Sequence, residues 1–197
     1  MHGLGNDFVI IDKRLENINV SKNLINKLSD RKSGAGCDQL ITINSSEIPN
    51  IDANIEIFNP SGDRAEACGN GTRCVAKLLF DETQKTKVNI QSDAGILNAI
   101  KKDSCNVSVN LGQLSTDWQK IPLSKNIDTL NIPIKIDSFS NGVAVNIGNP
   151  HIIFFGNNLD KVDLANIGPT IENNKLFPNK INVEIIEIIN NKKIKMR

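Results

Sequence analysis

A thiol set between a strand-like run and a helix-like run is the position in this chain best suited to chemistry. Residues 51–58 read as a strand that stops at Pro60-Ser61-Gly62. Cys68 then precedes Gly69-Asn70-Gly71, and a helical pattern covers 72–80. That order puts Cys68 at the mouth of a helix. Free backbone N–H groups and the helix dipole favour an anion there. The same field lowers a thiol's pKa and makes it a usable base or nucleophile. Gly69 and Gly71 let the backbone approach a ligand closely. The competing reading, a buried structural thiol, suits a glycine-flanked helix start less well.

Amide side chains mark the ends of the other strand signals. Asn6 lies in Gly3-Leu4-Gly5-Asn6-Asp7-Phe8, Gln39 in Gly36-Cys37-Asp38-Gln39, and Asn59 follows Phe58. Asn70 lies beside Cys68, Asn149 in Gly148-Asn149-Pro150-His151, and Asn182 in Ile181-Asn182-Val183-Glu184. An amide both donates and accepts without net charge. A ring of amides could therefore hold a zwitterion, donating to its carboxylate and accepting from its ammonium. Each Asn alone reads as a turn residue before it reads as a ligand contact, because Asn tolerates αL and makes Asx-turns. The coincidence with Cys68 is what favours a binding role. His151 opens the apolar run 152–155. It is either a satisfied strand-start histidine or a neighbour that tunes a thiol's ionisation.

The elements that must position these groups follow from periodicity. Strands are expected at 8–12, 40–43, 51–58, 87–92, 95–100 and 106–111. Ser21 caps a helix with Leu24, Ile25 and Leu28 on one face. Short gaps between the later strands favour antiparallel hairpins. The polar stretch 112–131 sets a domain boundary near its start, giving domains 1–111 and 112–197. Beyond it, strands are expected at 142–147, 151–155, 182–189 and 192–196, and a helix at 160–167 ended by Gly168-Pro169. Both ends read as cut, since the chain begins inside a glycine-rich turn and stops with a strand at Arg197.

Composition narrows the function classes. The 197 residues carry a net charge of +1, and no basic stripe interleaved with aromatics appears, which argues against nucleic acid as a partner. The hydrophobic content of 39% builds a real core, made mostly of Ile, Leu and Val because there is no Tyr and only one Trp. No apolar run approaches the ~20 residues of a membrane span. The N-terminus lacks signal-peptide regions, so the chain reads as cytoplasmic with its four cysteines reduced. No CxxC pair exists and the histidines are only His2 and His151, so no metal site is expected. Cys37, Cys74 and Cys105 read as small buried residues.

Taken together, Gly3-Leu4-Gly5-Asn6-Asp7-Phe8, Gly36-Cys37-Asp38-Gln39-Leu40, residues 59–76, Gly148-Asn149-Pro150-His151 and Asn182-Val183-Glu184 resemble diaminopimelate epimerase, in order and over essentially the whole chain. Cys-Gly-Asn-Gly alone also fits proline racemase-like proteins. The resemblance implies an α/β (α+β) fold of two pseudo-symmetric mixed-sheet lobes closing over a small-molecule substrate. It implies interconversion of LL- and meso-diaminopimelate for lysine and peptidoglycan precursors, with no pyridoxal phosphate, other cofactor or metal. Two cysteines, one per lobe, would face opposite sides of the α-carbon. By motif, Cys68 matches the first-lobe thiol, and Asn6, Gln39, Asn59, Asn149 and Asn182 match substrate-binding positions. Gly69 and Asn70 match the donors to the α-carboxylate, and His151 matches a histidine that tunes the cysteine pair. Family members are often dimers, so a homodimer is among the implied partners.

The sequence departs from the family pattern at its ends. The family's Glu-Arg pair and its second motif, Cys-Gly-Thr-Gly, lie beyond the point matching Arg197. Cys74, on the first lobe, and Cys105, in a first-lobe strand, cannot replace that thiol. Cys37 stands where small residues such as Ala are usual. The expectation is a second lobe that is incomplete, a first strand short of a few residues, and no activity for the 197-residue chain alone. Two other readings stay open: a non-catalytic lobe that binds an amino acid or a partner, and a proline racemase-like isomerase.

Overall fold

The computed structural model describes residues 1–16, 18–65, 67–136 and 139–197. Contacts divide them into two compact units, Met1–Gly112 and Gln113–Arg197.

The first unit holds strands β1 (His2–Gly3), β2 (Asn6–Asp12), β3 (Gln39–Asn44), β4 (Ala53–Phe58), β5 (Arg64–Ala65), β6 (Lys87–Ser92), β7 (Gly95–Lys101) and β8 (Val107–Asn110), with helices α1 (Lys22–Ser29) and α2 (Gly69–Thr83). The strands run in the order β1-β2-β3-β4-β6-β7-β8, with β5 also on β4. The pairs β2–β3 and β4–β6 are parallel and the others antiparallel, so the sheet is mixed. Helix α2 touches β1 and β2 near one end of this order and β6, β7 and β8 at the other. One helix meets both ends only if the sheet curls around it.

Local pattern explains most of this. In β4, Ala53, Ile55 and Ile57 are buried while Asn54, Glu56 and Phe58 are half-buried, the two-residue period of a strand with one core face. They pack with Phe8, Ile41, Ile43, Val75, Leu79 and Phe80 in one core cluster. The Ser21 hydroxyl accepts from the Leu24 N–H at 3.2 Å and starts α1. Leu4 (φ 56°) and Gly5 (φ 88°) both adopt left-handed backbone between β1 and β2. Left-handed geometry at both central residues suits a two-residue hairpin, and this one delivers Asn6.

The second unit holds β9 (Ile132–Ile136), β10 (Phe139–Asn146), β11 (Pro150–Phe155), a 3₁₀ turn (Leu159–Lys161), α3 (Leu164–Glu172), β12 (Asn182–Asn190) and β13 (Lys193–Met196). The order is β13-β12-β11-β10-β9, with β11–β12 parallel and the others antiparallel. Its core joins Ile121, Leu123, Ile132, Phe139, Ile152, Phe154, Ile171, Phe177 and Ile185. The mixed-sheet α/β class expected from the sequence is the one observed.

Two expectations, on the 160–167 helix and on Cys105, are corrected, and one stretch adds residues to the second core. The helix expected at 160–167 is instead the 3₁₀ turn followed by α3, which runs through Gly168 and Pro169. The apolar stripe Leu164, Ile167 and Ile171 packs on the second core, and that burial overrides the local stop signal. The polar stretch 112–131 contributes Ile121 and Leu123 to the core. Cys105 lies in the turn before β8, exposed, rather than buried in a strand; Cys37 and Cys74 are buried.

Candidate active site

Cys68 is the N-cap residue of α2, with extended backbone (φ −148°, ψ 100°). Its Sγ accepts from the Gly71 N–H at 3.4 Å, and the Asn6 amide approaches Sγ at 3.8 Å. Its carbonyl accepts from the Thr72 N–H at 2.9 Å and the Thr72 hydroxyl at 3.0 Å. Packing favours Gly71: a Cβ there would lie 2.5 Å from the buried Ile41 Cδ1, so that side chain or the helix start would have to shift. The absence of that atom lets the first turn of α2 settle on β3 and fixes the height of Cys68. The Asn70 carbonyl oxygen of its side chain accepts from Arg73, one turn on.

Burial pushes the Cys68 thiol up from its ordinary value, against the N–H groups of Gly71 and Asn70, the Arg73 charge and the Asn6 amide. This corrects the expectation of a lowered thiol. The helix-end field is present, but desolvation of the charged form is larger.

Gln39 and Asn59 stand at the same sheet edge as Asn6. In the parallel register Phe8 pairs with Gln39, and in the antiparallel register Leu40 pairs with Phe58. The β2 start, β3 start and β4 end therefore converge. Gln39 Nε2 donates to Asn59 Oδ1 at 3.1 Å. That bond orients the amide, leaving Gln39 Oε1 buried with no partner among the described residues. An orphaned buried acceptor suits a ligand N–H.

A clamp that sequence reasoning missed braces this edge. The Asp7 N–H donates to Asp38 Oδ2 at 3.0 Å, and the Asp38 N–H returns to Asp7 Oδ1 at 2.9 Å. Arg31 grips Asp7 through two bonds of 2.9 and 2.7 Å and reaches Asp38 at 2.8 Å. The available signal was an Asp beside each amide, in Asn6-Asp7 and Asp38-Gln39. The Arg31 guanidinium holds the Asp7 carboxyl well below the usual carboxylate range.

The second unit gathers its own polar set. His151 and Asn182 are paired across β11 and β12, as are Ile153 and Glu184. His151 Nδ1 lies 2.7 Å from Glu184 Oε1 and Nε2 lies 2.9 Å from Asn149 Oδ1. Asn182 Nδ2 donates to the Pro150 carbonyl at 3.0 Å. The sequence does not mark Glu184: a carboxylate two residues after an Asn has no local signature, and only the sheet pairing brings it to His151. Its Oε2 is buried without a partner among the described residues. Among the described residues no group of three or more His, Cys, Asp or Glu is placed to hold a metal ion, and no helix is long and apolar enough to cross a membrane.

The architecture recurs in solved structures. A probable proline racemase from Agrobacterium radiobacter K84 superposes with a TM-score of 0.57 at 14% identity, over 90% of this chain and 59% of that one. A phenazine biosynthesis protein of the PhzF family from Bacillus anthracis gives 0.54 at 19% identity, over 100% of this chain and 67% of that one. These likenesses define the fold class. Sequence goes further: the family model described as diaminopimelate epimerase matches residues 1–116. A diaminopimelate epimerase of Pelagibacter ubique (strain HTCC1062) is 46% identical over 202 residues, covering 100% of this chain and 73% of the relative. That of Sphingopyxis alaskensis is 41% identical over 197 residues, covering 100% and 70%. The chain belongs to the diaminopimelate epimerase family.

Proposed function

We propose that this chain serves the cofactor-independent epimerisation of LL- and meso-diaminopimelate, with Cys68 as the thiol that exchanges a proton at the α-carbon. The two isomers differ at one carbon. Inversion removes the proton from one face and delivers it to the other, so one base cannot serve both. The Cys68 thiolate takes the proton while the bonding pair passes toward the adjacent carboxylate; in the reverse direction the thiol returns it. The opposite face needs a second acid–base group, which the family resemblance assigns to a second thiol. The N–H groups of Gly69 and Asn70 at the start of α2 receive the α-carboxylate as charge accumulates.

The half-buried N-cap position of Cys68 carries this reading. A thiolate raised in pKa by burial is a stronger base than a solvated one, which suits the weak acidity of an α-proton. Asn6, Gln39, Asn59, Asn149 and Asn182 are assigned to the substrate's polar groups, and His151 to tuning the acid–base pair. Met1–Gly112 is read as the first epimerase lobe and Gln113–Arg197 as belonging to the second. The reading includes a cytoplasmic setting and a homodimer.

This chain extended past Arg197 through the family's second thiol, incubated with diaminopimelate in deuterium oxide, should incorporate deuterium at the α-position and interconvert the isomers. Cys68→Ala should abolish both while the melting transition persists. Exchange untouched by that substitution refutes the assignment. Exchange of proline without exchange of diaminopimelate moves the chain to the proline racemase-like reading.

A further inference from the structure

We propose that Glu184 decides which end of the Asn149 amide is offered to a ligand, acting through the proton positions of His151. This rests on Asn149 being a ligand contact in the function proposed above. The parallel register sets His151, Ile153, Asn182 and Glu184 on one face of the second sheet, while the intervening Ile152, Phe154 and Ile185 are buried in the core. The Glu184 carboxylate crosses from β12 to Nδ1 of His151 at 2.7 Å. An ionised carboxylate only accepts, so Nδ1 must carry a proton. The other ring nitrogen, Nε2, meets the head of the Asn149 amide at 2.9 Å.

That amide has one accepting and one donating end, and the ring selects between them. When the ring holds two protons, Nε2–H donates to Oδ1, and the Asn149 NH₂ faces outward to donate to a carboxylate. When the ring holds one, Glu184 keeps it on Nδ1 and Nε2 becomes an acceptor. Asn149 then turns its NH₂ inward, and Oδ1 faces outward to accept from an ammonium. Loss of one proton thus inverts the polarity of the group shown to the ligand. Without the carboxylate, a singly protonated ring could carry its proton on either nitrogen, and Asn149 would be left in both orientations. Among the described residues, β12 presents Glu184 and the uncharged Asn182 to the ring, and β10 presents Val145 opposite His151. Glu184 is therefore a positioning residue, and Asn149 is the group that meets substrate.

Nitrogen NMR on the ligand-free native protein tests this without reference to turnover, so it stands apart from the deuterium-exchange test. Long-range nitrogen–proton correlations of His151 should show the singly protonated ring as the Nδ1–H form alone. The Asn149 side-chain amide resonances should shift in step with the ring's second protonation. Glu184→Gln, which both accepts and donates, should produce mixed ring forms and shrink that step. It should also weaken diaminopimelate binding by about tenfold through misoriented Asn149, with a smaller fall in kcat than rise in KM. An Nε2–H form in the native protein, amide resonances indifferent to ring protonation, or a single ring form retained in Glu184→Gln overturns the proposal. Should Glu184→Gln not fold, Asn149→Asp serves. Its carboxylate only accepts, so the ring should hold two protons to higher pH than in the native protein; an unchanged or lowered titration overturns the coupling.

Discussion

Replacing Gln39 by Met should raise stability and weaken ligand binding at once. Gln39 Oε1 is buried without a partner among the described residues, and a stranded buried acceptor costs about 1–3 kcal/mol. The bond from Nε2 to Asn59 Oδ1, at 3.1 Å, returns about 1 kcal/mol. Met matches Gln in length and carries neither group. Asn59 is half-buried, so water can satisfy its freed oxygen. The difference favours the variant by about 1 kcal/mol, which for a chain of this size is a rise of about 2–4 °C in Tm. Binding should move the other way, because the ligand N–H that Oε1 would accept is left desolvated and unpaired. That loss is worth about 10- to 100-fold in Kd. Differential scanning calorimetry gives the first quantity and titration calorimetry with diaminopimelate the second. A Tm lowered by more than about 2 °C together with an unchanged Kd would refute the reasoning, and would make Gln39 a structural amide.

Further outcomes follow from the same geometry. Alkylation of Cys68 by iodoacetamide should keep accelerating as pH rises past the ordinary thiol value of about 8.5, since burial raises this thiol. Asn6→Ala should move the profile further up, and a rate already level at neutral pH would contradict both. The Asp7 carboxyl is depressed by Arg31, so its contribution to stability is complete above the unfolded carboxylate value and is lost as pH falls below it. Arg31→Met should therefore shift the acid-unfolding midpoint to higher pH; an unshifted midpoint followed by circular dichroism would exclude the clamp. Among the cysteines, exposed Cys105 should react first with a bulky disulfide reagent, and Cys37 and Cys74 only on unfolding. Peptide mapping of the labelled protein distinguishes the sites, and early labelling of Cys74 would contradict its burial.

The parts of this protein legible from sequence are those whose cause is local. The alternation of Ala53, Ile55 and Ile57 with polar neighbours announces β4 because side chains in a strand change face at every residue. Ser21 announces α1 because its hydroxyl satisfies a free N–H of the first turn. The glycine-flanked Cys68 announces the start of α2 for the same kind of reason. Family membership is also written in the sequence, because its ordered motifs are runs of adjacent residues.

Other features depend on distances the sequence does not contain. Whether the helix field or burial governs the Cys68 thiol depended on how much protein covers it, and burial prevailed. The helix α3 passes through Pro169 because Ile171 gains a place in the core, a contribution invisible to local propensity. The Gln39–Asn59 bond, the Asp7–Asp38–Arg31 clamp and the Glu184–His151–Asn149 chain join residues 20, 31 and 33 positions apart. Sheet register alone makes them neighbours. Sequence by itself determined which chemical groups stand at the ends of which elements; tertiary structure decided which groups meet and which atoms lose their water, because sheet register and packing join residues far apart in the chain.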